Sequence, residues 1–93
     1  MSVVIREVLL DALKPRELSI IELSKALGSV DGVDEVSVIV SEVDSNTETI
    51  KITIKGTNIE YEVISELLEK YAVSLRGVDE VHVAKADLDF LAK

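Results

Sequence analysis

Gly32-Val33-Asp34-Glu35-Val36, continued by Ser37-Val38, is written a second time as Gly77-Val78-Asp79-Glu80-Val81, continued by His82-Val83. Each copy follows a segment with helical spacing and precedes one that alternates as a strand. A glycine can take the positive φ that stops a helix, and valines two apart then begin a strand. Two such joins predict two β-α-β halves related by pseudo-symmetry and sharing one sheet.

Working outward, Val3 to Leu13 is almost continuously apolar, as a central strand would be. Simple alternation puts Val4, Val8, Leu10 and Ala12 on one face and Ile5, Glu7, Leu9 and Asp11 on the other. Lys14-Pro15 ends the strand, because proline has no amide to give the ladder. Ser19 followed by Glu22 has the spacing of a capping box, with Leu18 and Leu23 as a hydrophobic staple. Ile20, Leu23, Leu27 and Val30 then recur at helical intervals.

Beyond the first glycine-valine join, Val36, Val38 and Val40 alternate with Ser37, Ile39 and Ser41. Asp44-Ser45-Asn46-Thr47 is turn chemistry, and Ile50, Ile52 and Ile54 alternate on its far side, so a hairpin is expected. Gly56 is expected to end that strand. Asn58 is expected to cap a second helix, with Glu60 and Glu62 in its first turn and Ile59, Val63, Ile64, Leu67, Leu68 and Tyr71 as its apolar stripe. The second join starts the last strand, and residues 85–93 form a tail that a short helix or a strand extension would both fit.

The order is β-α-β-β-α-β over a single domain, residues 1–93. Right-handed crossovers and the central hairpin make it a ferredoxin-like α+β two-layer sandwich. Its four-stranded antiparallel sheet has the order 4-1-3-2, and both glycine-valine stretches open edge strands.

Composition narrows the function. The formal charge is −8 and the basic residues are scattered, which argues against a phosphate-tracking surface, so no nucleic-acid partner is expected. There is no cysteine, hence neither a disulfide framework nor a thiolate metal site. No apolar run reaches the length of a membrane span and the first residues lack the features of a secretory signal, so the expected location is cytoplasmic, with no membrane partner. His82 is the single histidine, the four glycines are isolated, and no serine sits in a nucleophile elbow; an enzyme is not expected.

Several segments then fall in one order: Val8-Leu9-Leu10-Asp11 with Leu13-Lys14-Pro15, Gly32-Val33, Glu42-Val43-Asp44, Thr47-Glu48 and Val78-Asp79-Glu80-Val81. Over almost the whole chain this pattern resembles a family of small archaeal proteins of unknown function, domain-of-unknown-function family two hundred and eleven. The resemblance implies a ferredoxin-like fold and a tendency to form homo-oligomers, and supplies no established activity. Where that family has His-Ser before Val-Asp-Glu-Val, this chain has Arg76-Gly77, so any role of that histidine is not carried over.

Two surfaces are left for function. The open sheet face should carry Ile5, Leu9 and Ile39, with Glu7 or Asp11 answering Lys51, and clustered apolar residues on such a face mark a contact surface. The outer edge of the second strand, Val36 to Val43, has no proline or lysine to guard it. Phe90 and Leu91 in the tail are candidate anchors for the same contact. A homo-oligomeric regulatory or scaffolding module is therefore expected, without a cofactor, and by analogy of fold a small ligand would sit at subunit junctions. The alternative is a divalent-cation binder. Asp44, Asn46 and Glu48 offer oxygens at alternate positions as a calcium loop does, and Glu42 could add one, although the loop's central glycine and late bidentate glutamate are missing. The plainer reading of those residues is a solvated hairpin turn.

Overall fold

The computed structural model describes residues 2–86. Strand β1 (Ser2–Pro15) leads to helix α1 (Ile20–Gly28), the hairpin β2 (Val33–Val43) and β3 (Thr47–Ile59), helix α2 (Tyr61–Lys70) and strand β4 (Ser74–Ala86). The sheet runs β2-β3-β1-β4 with every neighbouring pair antiparallel, which is the expected 4-1-3-2 order and the ferredoxin-like α+β fold.

Alternation builds the core in rows across the sheet. Val40, Ile50, Ala12 and Leu75 stand side by side on β2, β3, β1 and β4; Val38, Ile52, Leu10 and Val78 form the next row, and Val36, Ile54, Val8 and Val81 the third. The members on the two central strands are fully buried beneath Leu23 and Leu27 of α1 and Ile64 and Leu68 of α2. Ser19 caps α1 as expected, but its hydroxyl accepts from the Ile21 amide at 3.1 Å and not from Glu22 as in the expected capping box.

Three expectations need correction. First, β3 does not end at Gly56 but continues to Ile59, because the Gly32 carbonyl accepts from the Thr57 amide at 3.0 Å and keeps that backbone extended. Asn58 therefore lies in the strand, and Glu60 stands at the start of α2 with no side-chain cap. Second, the doubled stretch is not structurally doubled. Gly32, at φ 90, makes the turn into β2, whereas β4 begins at Ser74 and Gly77 lies inside it, opposite Asp11. Helix α2 is stopped instead by Ala72, at φ 61, with Val73 N donating to Leu68 O at 2.9 Å and Ala72 N to Glu69 O at 3.0 Å. This is a Schellman turn with alanine in the usual glycine place.

Third, β1 carries an extra residue, Arg6, between Ile5 and Glu7 where β4 has none. Such a bulge reverses the alternation. Ile5 accordingly packs against the core rather than lying on the open face, and Val4, though buried, lies on the other side from Val8, opposite Ala84. The last strand reaches Ala86, so the first two residues of the tail extend it, one of the two forms expected there. Phe90 and Leu91 lie outside the described residues.

The strands outrun the helices. Fourteen residues of β1 span roughly 45 Å, whereas helices of 9 and 10 residues are about 15 Å long. Two short helices cannot cover one side of so long a sheet.

Candidate association surface

The uncovered part of the helix side lies along β4. Helix α1 packs along β2 more extensively than α2 does along β4. Val36, Val38 and Val40 are thus half-buried, while the β4 ends of the same rows are open: Val78 is 44% exposed and Val81 49%. Val83, opposite Ile5, is 59% exposed, and Val3, two residues before Ile5 on the same side, is exposed as well. Val78, Val81 and Val83 form an apolar patch on an edge strand whose outer backbone groups have no partner among the described residues, and Val3 extends it on the neighbouring β1. Alternation sets Val81 and Val83 on one face of β4, toward the helices, and α2 is too short to cover them.

The opposite, helix-free side is different in character. Its rows read Glu35, Lys55, Glu7, His82, then Ser37, Thr53, Leu9, Glu80, then Ile39, Lys51, Asp11, Gly77. Leu9 is half-buried among these neighbours and Ile39 is exposed at the β2 end. Lys51 Nζ stands 3.3 Å from Asp11 Oδ1 and 3.5 Å from Asp79 Oδ2. That buried Asp11 oxygen makes no well-directed hydrogen bond, so the Lys51 charge is its compensation. Close contact with Asp11, then the charges of Asp11 and Asp79, raise the Lys51 pKa above its ordinary value, against a smaller opposing effect of desolvation. The Asp11–Lys51 pairing follows from register; Asp79 joins it only because it is itself an extra residue in β4, between the partners of Leu9 and Leu10. His82 Nε2 lies 2.5 Å from Glu80 Oε2, both exposed. Glu35, Ser37, Thr53 and Lys55 border a depression of about 250 Å³ in which no lining side chain is buried, a shape that does not shut a ligand away from water.

The hairpin acids are not gathered into a site. Glu48, directly opposite Lys14 on β1, forms an ion pair with it at 2.5 Å. Lys14 is 1% exposed and its ammonium also donates to the carbonyls of Leu18, at 2.6 Å, and Pro15, at 3.0 Å. Glu48 thus closes the end of the core instead of facing the turn. Asp44 and Asn46 are tied by their backbones, the Asp44 amide donating to Thr47 O and the Asn46 carbonyl accepting from Arg16 N. Glu42 is exposed on β2 beside Thr49. Among the described residues no three His, Cys, Asp or Glu side chains come together in a group that could hold a metal ion. No helix among them is long and apolar enough to cross a membrane.

Residues 6–89 match the model of a family described as uncharacterized ArCR, the domain-of-unknown-function family 211. The chain belongs to this family. It is also similar to an uncharacterized protein of the archaeon Methanocaldococcus jannaschii, with 37% identity over 81 residues covering 87% of this chain and 84% of the relative. Within the family-211 chain the matched span takes in β1 from its bulge onward, both helices, the hairpin and all of β4. Of the described features, Val3, Val4 and Ile5 fall outside it.

Proposed function

We propose that this family-211 protein is a non-catalytic module that works as a homo-oligomer, in a regulatory or scaffolding capacity. The observation that carries this reading is the row of exposed valines, Val78, Val81 and Val83, on the helix side of an edge strand. These residues continue rows whose inner members are buried, so they have the composition of a core without its cover. Covering them with a second apolar surface releases water from several valines at once, each contributing about 1–2 kcal/mol when fully buried. An edge strand meanwhile offers backbone donors and acceptors that a second strand satisfies. The scattered polar open face, with its solvent-exposed depression, lends no comparable support to catalysis.

Light scattering on the full chain at micromolar concentration tests the reading. The expected mass is a multiple of the 93-residue monomer, and replacing Val81 with Lys lowers it while the circular dichroism of the fold persists. A monomer at all concentrations in the native chain overturns the proposal.

A further inference from the structure

Helix α2 carries more apolar surface than the sheet takes up. In its stripe Ile64 and Leu68 are fully buried, Leu67 is half-buried and Val63 is 41% exposed. Val63 and Leu67, one turn apart, share a flank of the helix. Two adjoining depressions, of about 280 Å³ and 230 Å³, open along that flank, and Val30, just after α1, lines both of them together with Val63. Joined, they form a groove that follows α2 from Glu60 to Lys70, about 15 Å long. We infer that this groove docks a basic amphipathic helix of a partner protein.

The charge around the groove selects the occupant. Its floor is apolar, Val30, Val63 and Leu67, and its rim is charged: Asp31 and Glu60 at one end, Glu66 midway and Lys70 at the far end. None of these four groups forms an ion pair with another described residue. Three uncompensated carboxylates against one ammonium repel an acidic partner, a second copy of this chain at net charge −8 included. They favour lysine or arginine flanking the apolar side chains that fill the floor. The walls are a helix and a turn, with no strand edge to pair an extended segment, so the occupant must satisfy its own backbone, as a helix does. A length of about 15 Å takes nearly three helical turns, enough for apolar anchors at i, i+4 and i+7. The groove includes none of the β4 valines, so this inference goes beyond the self-association reading and stands on its own measurement.

The probe is a fluorescein-labelled peptide of leucine and lysine, about 14 residues long, with leucine at helical intervals; a twin with glutamate in place of lysine is the control. Fluorescence anisotropy with the full chain, at about 0.15 M salt, reads the affinity. The lysine peptide should bind and the glutamate peptide should not. Val63→Asn and Glu66→Lys, both at exposed positions, should each weaken binding about tenfold or more while circular dichroism shows the fold intact. Glu62→Lys makes the same charge change on α2 outside the groove, and Val81→Asn removes an apolar side chain from the β4 patch; each should alter affinity by less than about twofold. Equal losses from Glu66→Lys and Glu62→Lys reduce the binding to attraction by net charge and overturn the inference. Loss at Val81→Asn with none at Val63→Asn moves the peptide to β4 and overturns it too. So does binding of the glutamate peptide as tightly as the lysine one, or of neither. In all these cases the oligomeric mass read by light scattering decides the self-association reading separately.

Discussion

Lys14 and Glu48 face each other across β1 and β3 and form an ion pair at the closed end of the core, where Lys14 is almost wholly withdrawn from water. The Lys14 ammonium has a carboxylate and the two carbonyls of Pro15 and Leu18, so it is both paired and hydrogen-bonded. A buried charge in that state is tolerated; one deprived of its counter-charge is not. The pair also ties the loop after β1 to the hairpin, joining two segments that Arg16 and Asn46 already link through their backbones.

Glu48→Gln should therefore destabilise the fold by about 3 kcal/mol, since it strands a buried ammonium. Lys14→Met should cost less, because Glu48 is partly exposed and can turn to water. Urea denaturation of the two variants checks the order. Equal losses would show that the pair's worth does not lie in compensating the Lys14 charge.

Ala72 holds a left-handed conformation at the end of α2, the place glycine occupies without steric cost. Ala72→Gly should raise stability by about 0.5–1 kcal/mol, the relief of strain exceeding the added freedom of the unfolded chain. For a domain of this length that corresponds to a rise in melting temperature of several degrees, readable by differential scanning calorimetry.

The three glycines outside α1 should separate sharply. A Cβ on Gly32 would strike the Asn58 carbonyl, and one on Gly56 would strike the Gly32 carbonyl, whereas one on Gly77 meets nothing within 4 Å. Gly32→Ala carries the further strain of a positive φ. The first two alanine variants should lose cooperative unfolding or several kcal/mol. Gly77→Ala should lie within about 0.5 kcal/mol of the native chain, as seen by circular dichroism during thermal melts.

Lys51 gives a pH signature with a definite sign. Its pKa is raised in the folded state by Asp11 first and Asp79 second, so folding stabilises the protonated form. That contribution is fully present below the unfolded value of about 10.4 and disappears as pH rises through the folded pKa. Asp11→Asn should bring the Lys51 titration, followed by NMR at Nζ, down toward the ordinary lysine value. The effect on stability is small and falls with salt, because the pair is largely in water.

Local chemistry was enough to write the element order from the sequence. Period-two alternation in Ile50, Ile52 and Ile54, helical spacing in Leu23 and Leu27, and the Ser19 cap each act within a few residues. With handedness and the hairpin they lead to the 4-1-3-2 sheet, and register alone anticipates Asp11 facing Lys51. The extra residues at Arg6, Arg76 and Asp79 carry no local mark, since a bulge is set by what the neighbouring strand requires. Each one breaks the simple alternation of its strand, and the shifts set Ile5 on the core side and Asp79 beside Lys51. The two glycine-valine stretches are alike as sequence, yet the left-handed turn went to Gly32 and to Ala72, because Asn58 approaches Gly32 and nothing approaches Gly77. Which valines stay uncovered depended on the length of α2 against that of β4, a comparison between segments that meet only in three dimensions.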